Sequence, residues 1–340
     1  ERFVSTFKEI LKRHSLLRTS FDLIDGQPVQ KIHSSVSLEM EMIQAEEKKL
    51  EEVIDQFIQS FDLSKPPLLR IALVKKDDGY YMILDMHHII SDGLSMGILL
   101  NDFIEIYGGR ELEPLELEYK DYSVWQQDKF KEGRLKDAEE YWLNKLSGFR
   151  YTQFPKIPVI EGDDIGRGEV EIRFGHNLQT RIEEYCQQKN ITRFIFLLAI
   201  FKIILYKETG QQDLTIGIPV AGRKMPGLKG IIGNFINVLL IRTQIEDKVS
   251  FTKYLEQVRE GVMEAQEHED YPFEELYLRL KERDDIQDQS LFSILFNNLP
   301  NQIRTRSVGD MKLVPYKREK TKAKYDLNFY IGEFEGEMGI

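Results

Sequence analysis

Two kinds of hydrophobic pattern alternate along the chain, and together they predict a mixed α/β protein. Apolar residues three and four positions apart predict amphipathic helices, the first of them through Phe3, Phe7, Ile10 and Leu11. Short runs in which apolar and polar residues alternate predict strands, as in the stretch LRIALVKK at 69–76. Because both patterns recur from one end to the other, we expect helices and strands throughout the chain.

Turn signals join several of the predicted strands into hairpins. Asp25-Gly26 separates two extended runs, and Asp77-Asp78-Gly79 separates 69–76 from a mostly apolar run that begins at Tyr80. The second hairpin ends in two adjacent histidines. A helical pattern follows them, with Ser91 or Asp92 as its N-cap.

The chain is long enough for two lobes, and one interruption in the pattern predicts where they meet. It has 340 residues, and a typical domain has about 100–150. Periodicity stops between Ser147 and Gly166, where Pro155 and Pro158 fall. We therefore predict an N-terminal lobe over 1–147, a linker or crossing segment over 148–166, and a C-terminal lobe over 167–340.

Composition excludes several classes of protein. A net charge of −11 without a basic stripe argues against nucleic-acid binding. The longest apolar run, Phe194 to Phe201, is too short to span a bilayer, so no membrane partner is expected. Cys186 is the only cysteine, which rules out an intrachain disulfide and fits a reducing cytoplasm.

The stretch YYMILDMHHIISDGLS at 80–95 is the candidate active site. Its residues His87, His88, Asp92 and Gly93 form an HHxxxDG pattern at a strand end, a tight loop and a helix start. A lone histidine is more often a hydrogen-bonded core residue than a catalyst, but this combination is much more specific. Neighbouring histidines on a strand point apart, and zinc needs three or four ligands, so we expect no metal site.

This pattern resembles the active-site motif of chloramphenicol acetyltransferase-like acyltransferases, and its flanks resemble the condensation domains of nonribosomal peptide synthetases. The resemblance extends through almost the whole chain in order. The matching stretches are RHSLLRTSF at 13–21, YKDYSVW at 119–125, GQQD at 210–213, GIPVAGR at 217–223, IGNFINVLLIR at 232–242 and HEDYPFE at 268–274. Val238 stands where the family often has threonine, and Ser290 where it usually has proline.

The resemblance implies a fold, a reaction and partners. The fold would be α/β, with two chloramphenicol acetyltransferase-like lobes, each an α+β two-layer sandwich, arranged as a V-shaped pseudodimer. The reaction would be amide formation between a donor acyl or aminoacyl thioester and an acceptor aminoacyl thioester. Both would arrive on phosphopantetheine arms of peptidyl carrier domains, beside an adenylation domain in a multidomain synthetase, and the domain itself would bind no cofactor. The family's first motif and last strands would lie outside 1–340, which implies a domain truncated at both ends.

The resemblance also assigns roles to residues. His88 would stand at the reaction centre, as a base or as a group that positions the amine, while His87 is expected to be structural. Asp92 would pair with an arginine, for which Arg13 and Arg18 are the candidates. Gly93 would permit a tight turn and close backbone approach, and Asn237 could line a tunnel or simply satisfy a strand end.

Three other functions are open from the sequence, and one of them, a free-standing acyltransferase that uses coenzyme A, is disfavoured by the extended set of matching stretches. Epimerisation domains share HHxxxDG but invert an aminoacyl α-carbon, although the stretch NFINVLLIR at 234–242 looks like the condensing branch. A non-catalytic domain that recruits partners is the third alternative. Such domains commonly lose the second histidine, which this chain retains as His88.

Overall fold

The computed structural model describes residues 2–45, 49–152, 168–283, 290–299, 305–309, 311–316, 318, 325–334 and 336–340. Its helices are α1 Arg2–Arg13, α2 Leu50–Phe57, α3 Gly93–Tyr107, α4 Tyr119–Lys131, α5 Lys136–Lys145, α6 Gly175–Lys189, α7 Arg193–Thr209, α8 Phe251–Glu267 and α9 Phe273–Glu282. The strands are β1 Thr19–Ile24, β2 Gln27–Ile32, β3 Met40–Gln44, β4 Leu69–Lys76, β5 Gly79–Met86, β6 Asp213–Val220, β7 Asn237–Gln244, β8 Ile294–Asn298, β9 Arg306–Val308, β10 Met311–Leu313, β11 Leu327–Phe334 and β12 Glu337–Gly339.

The chain forms two compact units, each assembled from separate segments. The first unit contains Glu1–Glu132, Arg223–Phe235 and Ile303–Arg318. The second contains Gly133–Gly222, Ile236–Gln302 and Glu319–Ile340. These segments differ from the predicted lobes, and most of the predicted linker at 148–166 lies outside the described residues. One reason is that α5 belongs with the second unit, where the Trp142 indole donates to the His268 carbonyl at 3.0 Å.

The first unit is built on a three-stranded sheet in the order β3-β4-β5. β4 and β5 are antiparallel, with Arg70 opposite Asp85 and Leu69 opposite Met86. This pairing confirms the hairpin predicted at Asp77–Gly79. The hairpin predicted at Asp25-Gly26 is also present, as β1 paired with β2, and both turn residues have positive φ.

The core of the first unit lies between this sheet and the helical layer. Its largest buried side chains come from α1, from α3 and from the β-sheet, since each element turns its apolar stripe inward. The main cluster contains Phe7, Ile10, Leu11, Leu16, Leu17, Leu68, Leu69, Ile71, Ile90, Leu99, Phe103 and Ile232. Ile90 and Leu99 flank the histidine loop, so the loop is anchored directly on the core.

The second unit is built on a five-stranded mixed sheet in the order β12-β11-β8-β6-β7. β6 pairs with β7 antiparallel and with β8 parallel. Thr192 caps α7, because its hydroxyl accepts a hydrogen bond from the Ile195 N–H at 3.2 Å. In the described ranges of the chain, none of the helices has the length and apolar content needed to cross a bilayer.

Candidate active site

The histidine loop follows directly from the end of β5. The His87 N–H donates to the Leu68 carbonyl at 3.0 Å, which continues the β4–β5 pairing by one residue beyond Met86. A single turn of 3-10 helix, His88–Ile90, then leads into α3. Strand, turn and helix therefore appear in the order that the sequence predicted, with the two histidines at the junction.

His87 is a half-buried side chain that holds the turn from inside. Its Nδ1 accepts a hydrogen bond from the Ile89 N–H at 3.0 Å. Its carbonyl accepts from the Ser91 hydroxyl at 3.2 Å. Its ring lies against Phe61 with centroids 5.9 Å apart and planes at 87°. These contacts fix the orientation of His87 and stabilise the conformation of the loop.

His88 is exposed, whereas His87 is half-buried. Its carbonyl accepts from the Ser91 N–H at 3.2 Å. For its imidazole, no hydrogen-bond partner is found among the residues that the structure describes. A neutral imidazole in this setting has an acceptor nitrogen with which to bind or deprotonate an amine.

Asp92 is a buried carboxylate that performs two tasks. Its Oδ1 accepts from the Ser95 N–H at 2.8 Å, and Ser95 completes a capping box at the start of α3. The Arg223 guanidinium donates through one nitrogen to both carboxylate oxygens at 2.9 Å. The two side chains are 4% and 5% exposed, so the ion pair is almost fully removed from solvent.

The predicted arginine partners of Asp92 are wrong. Arg13 instead donates through Nε to Asp102 at 3.0 Å. Arg18 donates to backbone carbonyls, including that of Leu11 at 2.8 Å. Both arginines therefore hold elements of the first unit together without bonding to Asp92. The partner of Asp92 is Arg223, which is 131 residues away in the sequence. Arg223 was visible in the GIPVAGR stretch, but nothing local linked it to Asp92.

Ser95 is a site residue that the sequence reasoning missed. Its hydroxyl accepts from the N–H of Gly233 at 3.0 Å and from that of Asp92 at 3.2 Å. It lies 2.9 Å from the Gly233 carbonyl and 2.8 Å from Asp92 Oδ1, either of which can accept its hydrogen bond. A Cβ at Gly233 would come within 2.2 Å of the Tyr119 ring, so this close approach requires glycine. The D-x-x-S spacing at the start of α3 was the available signal.

Gly93 does not occupy a strained turn. It is the first residue of α3, its φ is outside the left-handed region, and an added Cβ would meet no atom within 4 Å. The predicted need for glycine to make a tight turn is therefore not found. The residue is exposed next to Asp92, and its predicted close approach to a substrate stays a prediction.

Asn237 lies at the start of β7 in the second unit, with its amide fully committed to backbone. Nδ2 donates to the carbonyls of Glu269 and Tyr271, each at 2.8 Å. Oδ1 accepts from the N–H groups of Val238 and Phe273, each at 2.9 Å. The side chain therefore fastens the turn before α9 to β7. Its place along a tunnel stays a prediction.

No three His, Cys, Asp or Glu side chains in the described part of the chain are grouped so that they could hold a metal ion. The histidine loop has instead the features of a site for proton transfer or hydrogen bonding. One imidazole is exposed, and a buried ion pair and a half-buried second histidine hold the backbone that carries it.

Comparison with known proteins places this geometry in a family. The family model of the condensation domain matches residues 1–340. Tyrocidine synthase 3 of Brevibacillus parabrevis is 36% identical over 99% of this chain, which covers 5% of that protein. The chain spans between 5% and 13% of the length of the curated relatives that head this comparison.

Solved structures agree with the fold. The X-domain in its complex with OxyB from teicoplanin biosynthesis has a TM-score of 0.84 at 22% identity, covering 99% of this chain and 78% of that one. The first condensation domain of the calcium-dependent antibiotic synthetase, in complex with a substrate analogue, has a TM-score of 0.74 at 17% identity, with coverages of 99% and 80%. These matches confirm the predicted chloramphenicol acetyltransferase-like α/β fold. With a family model that matches it from Glu1 to Ile340, the chain belongs to the condensation-domain family of nonribosomal peptide synthetases.

Proposed function

We propose that this domain forms an amide bond between two carrier-bound thioesters. The amine of an acceptor aminoacyl thioester attacks the carbonyl carbon of a donor acyl or aminoacyl thioester. The carbon–sulfur bond breaks, the donor thiol leaves, and the lengthened chain remains on the acceptor. The observation that carries the proposal is the exposed imidazole of His88, on a loop that other residues hold rigidly.

His88 would act on the attacking amine. A free α-amino group has a pKa of about 7.7–8.0, so a sizeable neutral fraction exists near neutral pH. The imidazole could therefore accept the proton as nitrogen becomes positively charged, or hold the amine in line for attack. Both roles need an acceptor nitrogen directed at the substrate, which the exposed side chain can supply.

The other site residues would act through His88. Asp92 and Arg223 hold the start of α3, while His87 holds the turn from the Ile89 N–H. Neither the ion pair nor His87 needs to contact substrate for this purpose. The roles proposed are therefore a catalytic His88 and a structural set of His87, Asp92, Arg223 and Ser95, with Gly93 leaving space beside them.

The substrates and partners follow from the family. Relatives such as tyrocidine synthase 3 are synthetases. We infer that donor and acceptor peptidyl carrier domains present their phosphopantetheine arms, and that an adenylation domain supplies the acceptor. The domain itself would bind no cofactor.

Recruitment of another protein is the second candidate function. The similar X-domain is known in a complex with OxyB. A domain of this fold can therefore bind a partner protein. The exposed His88 favours catalysis here. Recruitment of a partner alone would not require an exposed imidazole on a loop that an ion pair and hydrogen bonds stabilise.

One assay separates the candidates. The domain is mixed with a donor and an acceptor carrier protein, each loaded with an aminoacyl thioester, and intact mass and chiral analysis follow. Amide formation predicts that the acceptor gains the mass of the donor acyl group less that of the amine hydrogen it replaces. Inversion of a loaded residue without mass gain would indicate epimerisation, and no change on either carrier would favour recruitment; each of these two results would overturn the proposal.

A further inference from the structure

A polar and aromatic cluster lies behind His87, on the face of the β4–β5 hairpin. We call it the Arg70 cluster, and it contains Phe61, Arg70, Asp85 and His87. Arg70 is directly opposite Asp85 in the β4–β5 register. Asp85 and His87 are two positions apart in extended backbone, so their side chains leave the same face. The register thus brings three polar side chains together beside the histidine loop.

Arg70 fastens the segment before β4 to the hairpin. Its Nη1 donates to the Gln59 carbonyl at 2.7 Å, and its Nη2 to the Ser60 carbonyl at 2.8 Å. Nη1 also lies 3.2 Å from Asp85 Oδ2. The planar guanidinium can serve all three acceptors at once, which a lysine ammonium on its flexible stem does less well.

Phe61 carries this restraint to His87. The Arg70 guanidinium carbon lies 3.8 Å from the centroid of the Phe61 ring, a cation–π contact. The same ring meets the His87 imidazole at 5.9 Å in an edge-to-face arrangement. His87 in turn accepts from the Ile89 N–H, inside the turn that carries His88. A continuous series of contacts therefore runs from Arg70 to the turn.

The charges of Arg70 and Asp85 also stabilise the Arg70 cluster. Burial raises the pKa of Asp85, and the nearby Arg70 and His87 act in the opposite direction. The Arg70 and Asp85 side chains are 31% and 15% exposed, so the pair is partly screened from solvent. Loss of Arg70 would leave a poorly solvated carboxylate two residues from His87.

We propose that Arg70 is a positioning residue for the reaction at His88, and that it acts through Phe61 and His87. This inference rests on the proposed amide-forming function. Arg70 holds the Phe61 ring in place, the ring fixes the orientation of His87, and His87 keeps the Ile89 N–H bonded so that the His88 turn stays in one geometry.

The orientation of His87 has a spectroscopic signature. An Nδ1 that accepts from the Ile89 N–H carries no proton, so neutral His87 should be the Nε2–H tautomer. Nitrogen-15 histidine labelling reports this tautomer through the two ring nitrogen shifts. The six histidines of the chain make such spectra tractable, with His87 assigned from a His87→Gln variant.

The test compares Arg70→Met with Arg110→Met. Arg110 also forms an ion pair, with Glu105 at 3.0 Å, but its side chain is 74% exposed. Among the described residues, no contact joins Arg110 to the histidine loop. We expect Arg70→Met to lower kcat for condensation about 10- to 100-fold, because a small displacement of a reacting group costs this much. KM for the loaded acceptor should not change, and the His87 spectrum should show mixed tautomers. Arg110→Met should match wild type in all three measurements.

A second variant separates positioning from folding. Phe61→Leu leaves the Arg70–Asp85 pair in place but removes the ring between Arg70 and His87, and should reproduce the kcat loss and the tautomer change. Unchanged kcat in both variants, or a kcat loss with an unchanged His87 tautomer, would overturn the proposal. If wild type itself does not condense loaded carriers, the proposed function fails, and the tautomer comparison alone then decides whether Arg70 controls His87; an unchanged tautomer overturns that control.

Discussion

The Asp92 carboxylate is held by more donors than an ordinary helix cap. It accepts from Arg223, from Ser95 and from the Phe235 N–H at 3.3 Å. Arg223 in turn donates to the carbonyls of Leu228 and Ile231. Removing either partner would leave a buried charge with only part of its compensation, so the two residues should behave as a unit.

A double-mutant cycle tests this coupling. Asp92→Asn and Arg223→Met should each lower the free energy of unfolding by about 3–5 kcal/mol, the usual cost of breaking a buried ion pair. The double variant should lower the free energy of unfolding by clearly less than the sum of the two single losses, because neither charge is then left unpaired. Urea unfolding of the four proteins gives the four values. Additive losses would show that the pair does not act as a unit.

Residues such as Arg223 mark where sequence reasoning reached its limit. The HHxxxDG pattern identified His87, His88 and Asp92 as neighbours because they are local in sequence. The partner of Asp92 could not be identified in the same way, since periodicity carries no information about a residue 131 positions away. Arg13 and Arg18 were nearer in sequence, but they are bonded to Asp102 and to backbone carbonyls.

Helix α7 shows a second such limit at the scale of an element. Lys202 directly follows the apolar run Phe194 to Phe201, and a lysine is rarely buried, yet its side chain is 0% exposed. Its Nζ lies 2.6 Å from the Ile241 carbonyl, 3.2 Å from the Leu214 carbonyl and 2.9 Å from the Thr243 hydroxyl. A neutral amine can donate to both carbonyls and accept from the hydroxyl, so burial does not require the charged form.

Stability should consequently depend on pH through Lys202. Burial lowers its pKa to about 7, while Asp213 acts to raise the pKa and Lys145 to lower it further. An unfolded chain keeps the ordinary value of 10.5. Between these values the unfolded state binds more protons, so the destabilisation present below pH 7 is relieved as pH rises.

Lys202→Met isolates this effect, because all other titrating groups stay the same. From pH 7 to pH 9 the free energy of unfolding of wild type should rise by about 2 kcal/mol relative to the variant, at about 1.4 kcal/mol per unit of pKa difference. Guanidinium unfolding at several pH values measures it. Parallel pH profiles for the two proteins would show that Lys202 stays protonated in the folded state.

Asn237 joins strand β7 to helix α9. A substitution that replaces a single side-chain atom tests this link. Asn237→Asp keeps the shape but turns a donor into an oxygen that faces the carbonyls of Glu269 and Tyr271. We expect the free energy of unfolding to fall by about 2–3 kcal/mol, since these two carbonyls are left without a donor. Amide exchange at Phe273 should accelerate, because its N–H is bonded to the same side chain.

Asn101→Asp is the matched control, since Asn101 is exposed on α3. It should leave both the denaturation midpoint and the Phe273 exchange rate unchanged. Equal behaviour of the two aspartate variants would contradict the role of Asn237 as a link between β7 and α9.

At the scale of the whole molecule, patterns predicted most helices and strands but not how segments group into units. The predicted hairpins, the caps at Asp92 and Thr192 and the long helices are local features and are present. The grouping of Arg223–Phe235 with Glu1–Glu132 depends on contacts between distant residues. The Arg223–Asp92 pair and the Ser95–Gly233 hydrogen bonds are among them.

Residues from two distant segments support the loop that carries His88. We propose that this loop serves a reaction in which His88 contacts the attacking amine. His176 offers a matched comparison, because it is also an exposed histidine but lies on α6 in the second unit. Substitution of each by alanine removes an imidazole from solvent-accessible positions without emptying a core.

The most direct measurement is the single-turnover rate of product formation on a loaded acceptor carrier, for wild type, His88→Ala and His176→Ala. We predict that His176→Ala matches wild type and that His88→Ala is slower by about 100-fold or more, the usual contribution of a positioned acid–base group. The melting temperatures of all three proteins should agree. A His88→Ala domain that forms product at the wild-type rate would contradict the proposed role of His88 in the reaction.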